Sequence, residues 1–244
     1  MKNLNMKNLF ILFTLIFSLN VYAQVDIQTK LCLEGDSSFW YIWSKNLGKK
    51  IELNNVKNSQ NKRTYRLWTD KQVIDVWIDK NDRKYGKITN WVEECNIYGE
   101  TPSNRIFYFS YDLNLNQIEK IFTLIDSLKI DNIPDYTYIE NWTDLDDYTL
   151  YIIENSNNNS YCFRTYPSPE SQIDLKEAKT IQLFIYKTLE IIHANVVWAD
   201  YKTRIPFECY VIGGTRVTCK PLSPKERKKY KRERKKYLRK HKLN

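Results

Sequence analysis

Seven carboxylates fall in one segment of the chain that contains no lysine or arginine. The segment covers residues 130–163, and its acidic residues are Asp131, Asp135, Glu140, Asp144, Asp146, Asp147 and Glu154. Carboxylate oxygens bind hard cations such as calcium, and two carboxylates held several ångströms apart can hydrolyse a glycosidic bond. The spacing lacks the glycine and the terminal glutamate of a calcium loop, so a solvated acidic loop is the simplest interpretation. The candidate residues for a cation or partner site are Glu140, Asp144, Asp146 and Asp147.

A segment of opposite charge closes the chain. Residues 220–244 hold thirteen Lys and Arg against two Glu, whereas residues 24–219 hold 23 basic and 27 acidic residues. Such a density of positive charge binds polyanions, whether anionic lipid headgroups, polysaccharide or nucleic acid. The residues predicted to bind them are Lys228, Lys229, Arg232, Arg234, Lys235, Lys236 and Arg239. One alternative is a solubilising extension; another is a tail that docks on the acidic segment through Arg232, Arg234 and Lys235.

Nucleophilic catalysis has little support in the residue types. His193 is the one histidine outside the tail. A Ser-His-Asp or Cys-His hydrolase would depend on it, with Glu190 one turn earlier to orient the ring. The chain has no G-x-S-x-G turn, and its cysteines lack the spacing of a zinc site. The sequence therefore predicts no cofactor and no metal, with calcium at the acidic segment as the one alternative.

The first 23 residues have the layout of a secretory signal peptide. Lys2 and Lys7 precede an apolar run over residues 9–19, and Val21-Tyr22-Ala23 supplies a small-residue cleavage site. The apolar run falls short of the ~18 residues that a membrane-spanning helix needs. We therefore expect an exported protein, periplasmic or extracellular, that starts at Gln24 and has no membrane span. Because an exported protein seldom meets chromosomal DNA, the expected partner of the tail is an anionic envelope surface or an acidic protein.

All five cysteines lie beyond the signal peptide, which suits an oxidising compartment. Cys209 and Cys219 flank a hairpin pattern with Gly213-Gly214 at its centre. A two-residue loop would set Cys209 opposite Thr218, whereas a three-residue loop pairs Ile212 with Arg216 and sets the two cysteines opposite each other. We predict the three-residue loop and a Cys209–Cys219 disulfide. The other cysteines, which leave one possible pair and one spare thiol, are Cys32, Cys95 and Cys162.

The pattern of apolar residues predicts an α+β fold, with an antiparallel sheet built from hairpins and two amphipathic helices packed on it. Residues 24–112 are expected to be rich in strands, at 39–43, 64–68, 73–78, 88–92 and 105–111. Residues 113–219 are expected to hold the two helices and a hairpin of 148–153 with 161–165 across the turn 155–160. Residues 24–219 would then form one domain, followed by a cationic tail over 220–244.

Three capping signals place the helix starts. Asn114 with Gln117 begins the first helix and Asp174 with Glu177 begins the second. The second helix is expected to end between residues 194 and 201, where Val196-Val197-Trp198 would suit a strand equally well. In the tail, Ser223 with proline at the next position and an acid three residues on predicts a further helix.

Six short stretches together carry a likeness to a known group of proteins. They are Trp91-Val92-Glu93-Glu94-Cys95 with Tyr98-Gly99, residues 105–108, Ile133-Pro134, residues 142–154, residues 166–172 and residues 205–210. With these stretches the chain resembles a group of uncharacterised exported proteins of the Bacteroidota. The likeness covers much of residues 85–215 and leaves out the basic tail. Because the group has no assigned activity, the resemblance implies export and a single coherent domain only.

These observations favour an exported, non-catalytic binding domain whose cationic tail engages an anionic partner in the cell envelope. Two alternatives stay open at this point. One is an envelope hydrolase that uses carboxylates of residues 135–154. The other is a structural or immunity-type protein that blocks a partner with its acidic face.

Overall fold

Eight antiparallel strands form one sheet in the part of the chain that the computed structural model describes, which is residues 39–101, 103–143, 145, 149–157, 160–214 and 216–241. The strands are β1 Arg63–Trp68, β2 Gln72–Ile78, β3 Lys84–Glu94, β4 Ile106–Asp112, β5 Leu150–Asn157, β6 Ser160–Pro167, β7 Cys209–Ile212 and β8 Arg216–Cys219. The helices are α1 Phe39–Lys50, α2 Leu115–Ser127, α3 Lys176–Ile191, α4 Ala194–Arg204 and α5 Pro224–His241. This is the predicted α+β class. The predicted signal peptide and Cys32 lie outside the described residues, as do Asp144, Asp146 and Asp147.

The strands run in the order β6-β5-β1-β2-β3-β7-β8, and β4 pairs with β3 off this path. The long strand β3 therefore has three partners: β2, β4 and, through Glu93 and Glu94, β7. The observed strands β1 to β3 extend the predicted ones by one to six residues, and β4 is shifted by one residue from the predicted 105–111. Within the described residues, no helix has both the length and the apolar composition that a bilayer span requires.

Helices α2 and α3 cover one face of the sheet. At the start of α2, the Asn114 side chain accepts from the Gln117 amide and the Gln117 side chain accepts from the Asn114 amide, each at 3.0 Å, so the predicted capping box is confirmed. The α2 side chains that enter the core are Ile118, Ile121, Phe122 and Ile125. The helix approaches β3 closely: a Cβ at Gly86 would lie 3.0 Å from Ile118 and 3.1 Å from the Asp75 carbonyl oxygen.

The predicted start of α3 is wrong by one residue. The helix begins at Lys176 with Leu175 as its N-cap, and no side chain caps it, so Asp174 and Glu177 form no capping box. The Leu175 amide bonds to the Gln172 carbonyl oxygen at 3.3 Å, and this turn sets the helix start beyond Asp174. The helix ends at Ile191, and a separate helix, α4, begins at Ala194.

Helix α4 contains the segment 196–198 for which the sequence left a strand open. The break before it is at His193, whose φ of 52° is in the left-handed region. A left-handed residue ends one helix and changes the chain direction before the next. Val197 packs against the main core and Trp198 lies in a second cluster with Tyr201.

The predicted strand at residues 39–43 is wrong, because this segment begins helix α1. Its buried residues are Tyr41, Ser44, Leu47 and Gly48, a spacing of three and four that belongs to a helix. The helix covers the face of the sheet opposite α2 and α3, where Tyr41 and Leu47 pack with Trp68 and Trp91. The five residues 39–43 are too few to distinguish the helical period from the strand period. The helix becomes apparent only from the buried positions that follow them. The described fold thus has five helices and not the predicted two and a tail.

The cysteine hairpin is confirmed. Ile212 pairs with Arg216 and Cys209 lies directly opposite Cys219, with 4.1 Å between their Cα atoms and a disulfide between their sulfurs. Cys162 is also disulfide-bonded, and Cys95 is a buried free thiol. The spare thiol that the sequence left unassigned is therefore Cys95. Burial and the neighbouring carboxylates of Glu94 and Glu93 raise its pKa.

Strands β5 and β6 form the second predicted hairpin, with a shorter turn than expected. The predicted turn starts at Asn155, but β5 continues to Asn157, which pairs with Ser160. Asn155 is buried and its amide oxygen accepts from the Arg164 guanidinium at 2.6 Å. This buried hydrogen bond keeps an asparagine-rich sequence in the sheet, where its composition alone favours a turn.

Candidate functional site

The basic tail forms an 18-residue helix, α5, with a reciprocal cap at its start. The Glu226 carboxylate accepts from the Ser223 amide at 2.9 Å, and the Ser223 hydroxyl accepts from the Glu226 amide at 3.4 Å. The cap lowers the pKa of Glu226, through its hydrogen bonds with the Ser223 hydroxyl and amide. Proline occupies the first helical position, where it loses no hydrogen bond.

Glu94 anchors α5 to the sheet. This carboxylate, at the end of β3, has a relative exposure of 2%. From the tail it accepts a hydrogen bond from the Tyr230 hydroxyl, and Arg234 Nε lies 3.3 Å from its Oε1 atom. From the body, the Ser103 hydroxyl donates to it and Arg105 lies 3.5 Å away. One buried carboxylate thus joins a strand, the loop before β4 and the tail helix.

Two further contacts extend the docked face of α5 in both directions. Near its start, Arg227 pairs with Glu208 at 3.0 Å. Near its end, the Tyr237 hydroxyl lies 3.4 Å from the Asn104 carbonyl oxygen, and the Arg105 guanidinium lies 5.3 Å from the centre of the Tyr237 ring. The docked positions 227, 230, 234 and 237 recur every three or four residues and therefore form one face of the helix.

The tail therefore docks on the body, and its described partners lie outside the acidic segment that was one alternative for its docking. Among the ion pairs of the described residues, those between α5 and the body use Glu94 and Glu208, which lie outside the acidic segment 130–163. Of the three residues expected to pair with that segment, Arg234 contacts Glu94. Arg232 and Lys235 have no ion-pair partner in the described part of the chain and are exposed.

The opposite face of α5 carries most of the bases predicted to bind polyanions. Those exposed to solvent are Lys228, Lys229, Arg232, Lys235, Lys236 and Arg239, while Arg234 is half-buried. We call the first six the cationic face. Four of them follow a spacing of four, three and four residues, which aligns them over ~16 Å at 1.5 Å per residue. The apolar residues of α5 lie on the other side, where Tyr230 packs against the cluster of Val92, Trp198 and Phe207.

The carboxylates of the acidic segment fall into two groups. Some have structural partners, and for the others the structure describes no partner. Asp135 is buried and accepts from the amide and hydroxyl of Thr165, at 2.6 and 2.7 Å, and from those of Thr137. Asp131 pairs with Arg63 at 3.3 Å and accepts from the Tyr65 hydroxyl. Of the four residues proposed as a cation or partner site, Glu140 is exposed, and Asp144, Asp146 and Asp147 lie outside the described residues.

The described residues hold no group of three His, Cys, Asp or Glu side chains placed to bind a metal ion. The lone body histidine, His193, is exposed at the break between α3 and α4. Glu190, which was considered as the group that orients its ring, instead pairs with Lys187 at 2.8 Å. The geometry therefore places His193 at a turn, and no carboxylate among the described residues orients its ring.

A buried ionic cluster on the α1 side of the sheet was not predicted. The Arg66 guanidinium donates to the Asp75 carboxylate at 2.6 and 3.3 Å, and its Nη1 atom lies 3.7 Å from Glu154. Glu154 also accepts from Trp68 Nε1 at 2.6 Å and from the Tyr161 hydroxyl at 2.8 Å. Burial alone would lower the pKa of Arg66, but Asp75 and Glu154 outweigh it, so the pKa is raised.

Sequence signals for these missed residues exist, though they are faint. In β3, Glu94 follows Val92 at the strand period of two, so it occupies an inward position where a charge needs a partner. In the ionic cluster, Arg66 lies directly opposite both Asp75 and Glu154. That register joins residues 88 positions apart along the chain, and no local pattern fixes it.

No model of a known protein family matches this chain, and neither the curated proteins nor the solved structures contain a significant match to it. The resemblance to exported proteins of the Bacteroidota therefore stays a prediction. The functional argument rests on the geometry of the chain itself.

Proposed function

We propose that this protein is an exported, non-catalytic binding domain that uses the cationic face of α5 to engage an extended anionic surface of the cell envelope. The observation that carries the proposal is the division of α5 into two faces. Tyr230 and Arg234 hold one face on the body through Glu94, and the bases of the other face point to solvent. A tail that served only its own docking would not need a second row of charges.

The chemistry of this face favours peripheral, electrostatic binding. Each Lys or Arg near an anionic membrane surface contributes about 1 kcal/mol. The apolar residues Tyr230, Tyr237 and Leu238 are half-buried on the docked side of α5. The cationic face therefore presents lysine and arginine side chains and no apolar side chain that would insert between lipids. Salt should therefore weaken the attraction, because charges farther apart than about a Debye length, ~10 Å at 0.1 M, are largely screened.

The alternative of an envelope hydrolase has weaker support. Among the described carboxylates of residues 135–154, the buried ones are Asp135 and Glu154, and they already accept hydrogen bonds from Thr165, Trp68 and Tyr161. Carboxylates with these fixed internal partners are typical of structural roles. A structural or immunity-type role is compatible with the docked helix, but it would use the acidic face and leave the cationic face without a function.

The experiment compares the full mature chain with a variant that lacks residues 222–244. The deletion leaves the β7–β8 hairpin intact, including the 2.8 Å bond from the Lys220 amide to the Glu208 carbonyl oxygen. Binding is measured to vesicles of phosphatidylcholine with phosphatidylglycerol, and to an anionic polysaccharide, over a salt series. We expect salt-sensitive binding by the full chain, none by the variant and none to pure phosphatidylcholine. Equal binding by both forms would refute the proposal.

A further inference from the structure

A cavity of about 140 Å³ lies between helix α1 and the sheet, over the buried ionic cluster. Its floor includes Arg66, Glu154 and Tyr161, and its α1 side includes Lys45 and Lys49. An engineered cavity of about 150 Å³ in another protein is large enough to bind benzene. The space under α1 therefore suits one amino-acid-sized molecule. None of its lining residues belongs to α5.

The ionic cluster under the cavity carries an excess of negative charge, and Arg66 and Glu154 are its members that line the cavity. Arg66, Asp75 and Glu154 are all less than a tenth exposed, so one buried guanidinium faces two buried carboxylates. Arg66 lies 3.7 Å from Glu154, and the groups that donate hydrogen bonds to Glu154 in the described part of the chain are the neutral Trp68 and Tyr161. They satisfy its oxygens but add no charge. A buried carboxylate without a full counter-charge favours a ligand that brings a cation.

The rim of the cavity carries the opposite charge. Lys45 and Lys49 are exposed and lie four residues apart on α1, a spacing at which like charges repel. In the described part of the chain, neither forms an ion pair with Glu154 or Asp75. The Lys45 ammonium lies 5.6 Å from the centre of the Tyr41 ring, so this rim already accommodates an ammonium on an aromatic face. A carboxylate between the two lysines would relieve their repulsion.

We propose that this cavity binds a small zwitterion of the amino-acid type, with its ammonium group directed to Glu154 and its carboxylate to Lys45 and Lys49. The negative cluster below the cavity, which reaches it through Glu154, and the positive rim match the two ends of such a molecule. A simple amine would use only the floor, and a simple carboxylate only the rim. This site is separate from α5, so its failure would leave the proposal for the cationic face untouched.

The test is calorimetric titration of the full mature protein with α-amino acids whose side chains are uncharged, from glycine to phenylalanine. For L-valine there are matched controls: isobutylamine lacks its carboxylate and isovalerate lacks its ammonium group. We expect at least one amino acid to bind. We also expect the loss of either charged group of valine to weaken binding about tenfold or more, as hydrogen bonds to charged groups imply. Glucose, a neutral ring of similar size, should not bind.

Two variants separate the site from its surroundings. Lys49→Gln should weaken amino-acid binding, whereas Lys50→Gln, the next residue on α1 but not part of the cavity wall, should leave it unchanged. Glu154→Gln should abolish binding, with circular dichroism as the check that the variant folds. No binding by any amino acid would overturn the proposal, as would equal binding of valine, isobutylamine and isovalerate or equal effects of the two lysine variants.

Discussion

Replacing Glu94 by glutamine should loosen the tail helix and destabilise the body by separable amounts. Glu94 is buried and contacts Tyr230 and Arg234 on α5, and Ser103 and Arg105 on the body. Glutamine has nearly the same shape but no charge. It keeps one oxygen acceptor and leaves the two guanidinium groups without their anion.

The magnitude follows from the exposure of each partner. The Arg105 side chain is 11% exposed, so losing its buried carboxylate falls in the range of 3–5 kcal/mol for breaking a buried pair, or about 3 kcal/mol with one acceptor kept. The Arg234 side chain is 37% exposed, which limits its share to about 0–1 kcal/mol. The hydrogen bond from Tyr230 adds about 1 kcal/mol. The tail therefore accounts for about 1–2 kcal/mol of the total.

The assay is urea unfolding of four proteins: the mature chain and the variant lacking residues 222–244, each with and without Glu94→Gln. The cost of Glu94→Gln should be about 1–2 kcal/mol smaller when the tail is absent, because two of the four contacts are already gone. Glu93→Gln is the matched control, since the neighbouring carboxylate has no contact with α5 among the described residues. Equal costs of Glu94→Gln with and without the tail would refute the docking geometry.

Other parts of the fold give predictions of the same kind. Burial, first, and the hydrogen bond to Glu94 raise the pKa of the Tyr230 hydroxyl. Tail docking should therefore be complete below the ordinary tyrosine pKa of about 10 and weaken as the pH rises above it. Protease accessibility of the tail over a pH series would detect this change, and Tyr230→Phe would remove the pH dependence. Gly48→Ala should raise the free energy of unfolding by about 0.5–1 kcal/mol, because the new Cβ lies in a helix at an ordinary 3.8 Å from its neighbours. Gly86→Ala should lower it, because its Cβ would lie only 3.0 Å from Ile118; thermal melts of the pair that shift in the same direction would contradict the packing. Replacing Cys209 and Cys219 by serine removes a disulfide with a sequence separation of 10 and should lower the free energy of unfolding in urea by about 2–3 kcal/mol. An unchanged free energy of unfolding would contradict the role of this disulfide.

Much of the fold was predictable because its signals are local. The capping box at Asn114, the odd-length loop between Cys209 and Cys219 and the start of α5 at Ser223 each depend on a few neighbouring residues. Strand positions followed from short runs of aromatic and β-branched residues. The prediction for segment 39–43 failed because its four aromatic residues and one isoleucine fit either period, and only the burial of residues 44, 47 and 48 on the sheet reveals the helix.

The candidate site was predictable in composition but not in geometry. The density of lysine and arginine marked the tail, yet charge counting cannot show which bases are neutralised by docking. That division depends on Glu94 and Glu208, two carboxylates outside the acidic segment that the charge pattern offered as an alternative docking partner. The ionic cluster around Arg66 was missed for a related reason, since strand pairing between distant segments brings Arg66 and Glu154 together.

The most direct test of the account neutralises the cationic face without removing the helix. The variant replaces Lys228, Arg232, Lys235 and Arg239 with glutamine, and the matched control replaces four exposed body lysines, Lys120, Lys176, Lys179 and Lys202. The measurement is affinity for phosphatidylglycerol-containing vesicles over a salt series. At about 1 kcal/mol per base, the tail variant should bind about a thousandfold more weakly, with a shallower salt dependence, and the control should bind nearly as the parent does. Equal losses in both variants would show that net charge alone governs binding and would contradict the role of α5.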